Sequence, residues 1–170
     1  EIIHRLPTTM AKAIDIKLQE GDPAPSFHSN NQHEQPIGLS DFKGKHLILY
    51  FYPRDNTPGC TKEACAFRDA FAQLESMGVV VLGVSCDNVS SHQKFISKFE
   101  LPFDLLADTS QEIVKTYGVW GPKQFMGNTF DGINRVSFWI NPEGMIERIW
   151  TKVKPYVHAR EVIEAIKAFE

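Results

Sequence analysis

The 170-residue sequence contains only three cysteines and almost no charge imbalance. No stretch approaches the roughly 18 consecutive apolar residues of a membrane-spanning helix. Lys and Arg number 18 against 21 Asp and Glu, a net charge of −3, so nothing suggests nucleic acid as a partner. Three cysteines are too few for a secreted disulfide scaffold, and an odd count leaves at least one thiol outside any internal bridge. The six histidines show no HExxH or paired spacing, and the cysteines lack a second close pair, which argues against a zinc site. P-loop, G-x-G-x-x-G and G-x-S-x-G motifs are absent. Repeats, low-complexity tracts and domain linkers are missing too.

What remains is an ordinary globular composition. The 42% hydrophobic, 23% charged and 11% aromatic content excludes disorder, collagen and coiled coil. The length fits one domain at about 150 residues each. A chain of this size buries about 70% of its unfolded surface and needs no metal or disulfide staple. Residues 1–9 lack the plan of a secretory signal, and Met10-Ala11-Lys12 reads as a natural start. The expected organisation is an extension over 1–9 and a single domain over 10–170.

Strands and helices alternate along the chain. Residues 46–52 (HLILYFY) and 79–84 (VVVLGV) are apolar runs of strand length, expected to be buried on both faces. Between them Ala64, Phe67, Phe71 and Leu74 recur at helical spacing, predicting a helix from Cys60 to near Gly78. Residues 90–99 read as a helix capped by Ser90 or Ser91, 103–106 as a strand and 110–117 as a short helix. Residues 134–140 and 145–150 flank the turn Asn141-Pro142-Glu143-Gly144, and a last helix covers 158–169. The order implies an α/β layered domain around a mixed sheet.

Chemistry concentrates where the first long strand runs into the helix, at Thr57-Pro58-Gly59-Cys60. Thr57 suits the N-cap and Pro58 the first helical position, which places Cys60 in the first turn. Unpaired N–H groups and the positive end of the helix dipole favour a thiolate there, as a nucleophile requires. Gly59 removes a side chain that would block a small substrate. A buried, inert thiol is the bland alternative for Cys60, and the Thr-Pro-Gly-Cys context weighs against it. Cys65 lies five positions on, about 8.6 Å away between Cα atoms of an intact helix. A disulfide needs about 7 Å or less, so pairing of these two would require the first turns to unwind.

The segment Pro53-x-x-x-Thr57-Pro58-Gly59-Cys60-Thr61-x-Glu63-x-Cys65 resembles the active-site segment of the peroxiredoxins. Its Cys-x4-Cys spacing is similar to the bacterioferritin comigratory protein (peroxiredoxin Q) subfamily. Gly21-Asp22-x-Ala24-Pro25-x-Phe27 resembles that family's first strand, and Gly83-Val84-Ser85-x-Asp87 with Ser91-His92 and Phe95 its next strand and helix. Tyr117-Gly118-Val119-Trp120-Gly121, Arg135-x-x-Phe138-x-Ile140 and His158-Ala159-x-Glu161-Val162 extend the likeness over about residues 16–169.

The resemblance implies a thioredoxin-like fold with a central mixed sheet and a thiol peroxidase acting on hydrogen peroxide and small organic hydroperoxides. Cys60 would be the peroxidatic cysteine and Cys65 the resolving one, joined in a transient disulfide. Thr57 would orient the peroxide, Pro53 would shield the pocket, Pro58 and Gly59 would line it, and Arg135 would stand beside the sulfur. Thioredoxin or a similar dithiol would restore the enzyme, with no metal or organic cofactor. A monomer is expected from the subfamily, and the cytoplasm from the need for a reductant. Cys86 departs from the pattern, because Pro commonly follows the serine; it is expected to be an inert thiol, with a second resolving role as the alternative. Phe125 and Met126 could form an apolar collar, and Lys152 and Lys154 a small cationic spot. The rival readings are a general thiol–disulfide oxidoreductase, disfavoured because that chemistry usually sits on Cys-x-x-Cys, and a non-enzymatic redox sensor or chaperone-like protein.

Overall fold

The computed structural model describes residues 14–169. The expected boundary between an extension over 1–9 and a domain from Met10 lies outside them. In chain order the elements are β1 (His28–Asn30), β2 (Pro36–Gly38), a 3-10 turn (Leu39–Phe42), β3 (His46–Phe51), α1 (Pro58–Ser76), β4 (Val79–Ser85), α2 (Val89–Phe99) and β5 (Asp104–Ala107). There follow α3 (Glu112–Thr116), β6 (Trp120–Phe125), β7 (Asn128–Ile133), β8 (Val136–Ile140), β9 (Ile146–Trp150) and α4 (His158–Phe169). The central sheet has the order β5-β4-β3-β8-β9, with β3, β4 and β5 parallel, β8 antiparallel to β3, and β9 antiparallel to β8. It is the mixed sheet expected from the sequence.

The two apolar runs form its middle, because a strand covered on both faces has no position for water-seeking side chains. Their alternate residues feed two cores. Ile48, Tyr50, Tyr52 and Val81 face Ala64, Phe67 and Leu74 of α1 and Val162 and Ile166 of α4. Leu47, Leu49, Phe51, Leu82 and Val84 face the opposite way, onto Ile113 and Val114 of α3, Tyr117 and Val119. Glycine is required at 83, since a Cβ there would stand 2.7 Å from Leu105 Cδ2 and 2.9 Å from Tyr50 Cζ.

Several boundaries move for local reasons. α2 begins at Val89, and Asn88 rather than Ser90 or Ser91 is its cap, accepting from the Ser91 N–H at 2.8 Å. α3 is shorter than 110–117 because Gln111 adopts a left-handed φ of 65° before it. The segment at 21–27 is no strand of its own; Pro23 makes a single bridge to Met145, and β1 starts at His28. Residues 121–132, for which the sequence pattern predicts no strand, form most of the β6–β7 hairpin, turning at Met126 and Gly127 with φ of 50° and 80°. Positive φ at both turn residues gives the twist that two-residue hairpins favour. No helix among the described residues is long and apolar enough to cross a membrane.

Candidate active site

β3 delivers the chain to the C-terminal edge of the sheet, and residues 52–57 turn it into α1 at Pro58. Thr57 is the N-cap, with its carbonyl accepting from the Thr61 N–H at 2.8 Å. Its hydroxyl makes no capping bond; it donates to the Arg54 carbonyl at 2.9 Å. The hydroxyl oxygen therefore keeps lone pairs free to accept from an approaching O–H. Cys60 sits in the first helical turn, 1% exposed. Pro53 is half-buried at the start of the loop, and Pro58 is exposed.

Arg135 arrives from the opposite side. It lies just ahead of β8, not within it, because Asn134 is still held to the β6–β7 hairpin, donating its N–H to the Val119 carbonyl at 2.9 Å. Freed from the strand ladder, the guanidinium reaches α1. Its Nη2 donates to Cys60 Sγ at 3.4 Å and its Nη1 donates to Glu63 Oε1 at 2.8 Å. Burial pushes the Glu63 carboxyl up to about 7, against the opposing pull of Arg135. Burial works against the Arg135 charge, but Glu63 and Cys60 outweigh it and hold the group above the ordinary arginine value. Gly59 has a second reason to be glycine: a Cβ there would stand 3.1 Å from Arg135 Nη2 and 3.7 Å from Pro155 Cγ. Part of the space expected for substrate is thus occupied by the guanidinium.

Under the loop lies a network that the sequence did not announce. Asp55 is buried, and its carboxylate accepts from Tyr52 O–H at 2.6 Å and Ser91 O–H at 2.8 Å and pairs with His92 Nδ1 at 2.7 Å. The Asp55 N–H donates to Asp87 Oδ2 at 2.8 Å, and His92 Nε2 meets the Leu106 carbonyl at 2.8 Å. Asp55, Asp87 and His92 have metal-ligating proximity, but each points its ligand atoms at partners inside the protein. The network pins the residues ahead of α1 to β4, α2 and β5.

The three thiols are unlike one another. All are free, and α1 is continuous from Pro58 to Ser76, so Cys60 and Cys65 stand in an intact helix. Cys65 is half-buried, rotated about 140° from Cys60 around the helix axis. Cys86 packs into the core on the far face of the sheet from Cys60. Burial first, then Asp108 and Asp87, push its thiol up to about 11, which disfavours the thiolate at neutral pH. Phe125 and Met126 are 66% and 86% exposed at the β6–β7 tip, and Lys152 and Lys154 are exposed on the segment before α4.

Residues 20–149 match the model of the AhpC/TSA family. The chain belongs to that family. Peroxiredoxin Bcp of Escherichia coli is 41% identical over 150 residues, covering 88% of this chain and 96% of that protein. Peroxiredoxin Bcp of Bacillus subtilis is 40% identical over 152 residues, covering 89% and 97%. Among solved structures, a cysteine-to-serine mutant of Xylella fastidiosa PrxQ superposes with a TM-score of 0.85 at 34% identity, covering 89% of this chain and 97% of the other. A Xanthomonas campestris bacterioferritin comigratory protein, described for its alkyl peroxide reduction activity, gives 0.82 at 33% identity, covering 91% and 99%. The fold is that of the thioredoxin-like peroxiredoxins, and the enzyme is a thiol-dependent peroxidase.

Proposed function

We propose that the enzyme reduces hydrogen peroxide and small organic hydroperoxides at Cys60 and recycles through a Cys60–Cys65 disulfide. The observation that carries this reading is the Arg135 guanidinium, which donates to the Cys60 sulfur while Glu63 holds its other arm. The Cys60 thiolate attacks the terminal oxygen of R–O–O–H, giving Cys60–S–OH and an alkoxide that takes a proton to become R–OH. The charge that develops on the departing oxygen meets Arg135 and the N–H groups of the first turn of α1, already oriented. Thr57 accepts from the peroxide O–H and aligns the O–O bond with sulfur. Pro53 walls the pocket from water, and Pro58 and Gly59 line its mouth.

Resolution joins Cys65–SH to Cys60–S–OH, forming the disulfide and releasing water. The helix separation of the two Cα atoms exceeds what a disulfide spans, so the start of α1 unwinds in this step. Thioredoxin or a similar dithiol then reduces the disulfide by exchange, becoming oxidised itself. The same reading places a monomeric enzyme in the cytoplasm, where such reductants are kept.

Stopped-flow oxidation of Cys60, followed by mass-spectrometric mapping after one equivalent of hydrogen peroxide, tests the cycle. The expected product is the Cys60–Cys65 bridge, unchanged in C86S. The C65S enzyme should form the sulfenic acid yet fail to turn over with a dithiol. Oxidation no faster than that of a free thiol overturns the peroxidase step, and a bridge to Cys86 overturns the assignment of Cys65.

A further inference from the structure

A second cation lies on the same side of the molecule as Arg135, and neither motif nor composition marks it. Lys123 is in β6, in a hairpin that has no strand hydrogen bonds to the central sheet. Its side chain does not point into solvent. Nζ donates to the Ile133 carbonyl at 2.8 Å, on the last residue of β7 and two residues before Arg135. Gly132 leaves a lane for the alkyl chain, since a Cβ there would stand 3.2 Å from Lys123 Cδ. The lysine is half-buried, and the charged groups that act on it are Arg135, which opposes its charge, and Cys60, which favours it. Burial and Arg135 together hold its ammonium below the ordinary lysine value. A buried cation set beside a like charge costs stability unless something nearby compensates it. The Ile133 carbonyl supplies that compensation directly, as the acceptor of its hydrogen bond.

We infer that Lys123 is a positioning residue of the peroxidase site, clamping the end of β7 from which Arg135 sets out toward Cys60. The bond to the Ile133 carbonyl fixes where Asn134 and Arg135 leave β7 for β8, so the guanidinium reaches sulfur from a defined origin. The inference rests on the peroxidase reading above and names a residue which that reading does not use.

The test compares Cys60 oxidation by hydrogen peroxide in the full chain and its K123M, K123R and K167M variants, across pH 5 to 9. Methionine keeps the apolar stem and loses the donor and the charge, whereas Lys167, exposed on the last turn of α4, controls for net charge. K123M should oxidise about tenfold more slowly, with its rate profile moved to higher pH. K123R should recover most of both, and K167M should match the parent. An unchanged rate and profile in K123M overturns the inference while leaving the peroxidase reading intact. Equal losses in K123M and K123R with an unmoved pH profile also overturn it, since they reduce Lys123 to packing. A parent enzyme that oxidises no faster than a free thiol removes the peroxidase reading and this inference together.

Discussion

Glu63 and Cys60 share one arginine: Arg135 donates to the buried carboxylate at 2.8 Å and to the sulfur at 3.4 Å. The carboxylate lies one turn along α1 from the nucleophile and between the two cysteines in sequence. Whatever moves the start of α1 therefore moves the sulfur, the carboxylate and the partner of the arginine at once.

Replacing Arg135 by lysine should keep the charge and lose the planar two-armed donor. A single ammonium cannot serve Glu63 and Cys60 in the same geometry. We expect Cys60 oxidation to slow by roughly ten- to a hundredfold, less than for outright loss of an oriented oxyanion donor, because the charge remains. Urea stability should fall by less than about 1.5 kcal/mol, because the ion pair to Glu63 can re-form. Stopped-flow kinetics and equilibrium unfolding read the two effects separately, and unchanged kinetics would remove Arg135 from the site.

The raised carboxyl of Glu63 makes the wound start of α1 sensitive to pH. Folding lifts this group from 4.5 to about 7, so the folded state holds the proton more tightly than the unfolded one. The stability it contributes is complete below about 4.5 and disappears as pH rises through about 7. His158 works in the opposite sense: burial, then Arg135 and Arg148, lower it to about 4 from 6.5. Its contribution is complete above 6.5 and is lost as pH falls through about 4. Subtracting the urea stability of E63Q from that of the parent isolates the carboxyl. The difference should decline between pH 4.5 and 7.5 by on the order of 3 kcal/mol and then level off. A difference that is flat, or rises with pH, would contradict the upward shift of the Glu63 carboxyl. The proposed disulfide form, with the start of α1 unwound, would return Glu63 to water, so reduced, wound enzyme should be most favoured at acidic pH.

Asp55 should be worth far more than an ordinary loop residue. Truncating it to alanine leaves His92, Tyr52 and Ser91 without their shared acceptor in a buried setting. The expected cost is about 3 kcal/mol, set by the groups left unpaired more than by the bonds lost. Hydrogen exchange should quicken at residues 53–59 before the rest of α1 loosens. A loss below about 0.5 kcal/mol would show that the network does not anchor the loop.

What the sequence determined by itself was local. The Thr-Pro-Gly-Cys start of α1, the two apolar strands and the helix from His158 follow from capping, period and run length, and all are seen. The β6–β7 hairpin escaped notice because Gly121, Pro122 and Gly132 weaken its strand signal, and Met126 stands where Asn or Asp usually marks such a turn. The position of Arg135 beside Cys60 had a local signal only through family likeness, since 75 residues separate them. Asp55 with His92, and Lys123 with the carbonyl that precedes Arg135, had none. Their meanings arise when β3, β4 and β8 bring distant loops to one end of a single sheet. Cys86 is the reverse case: it stands only one residue beyond β4, yet side-chain alternation places it across the sheet from the nucleophile. A sequence can specify which residues are reactive in kind, because caps and periods act over a few residues. Which of them share a site depends on chain crossings, and only the packed sheet decides those.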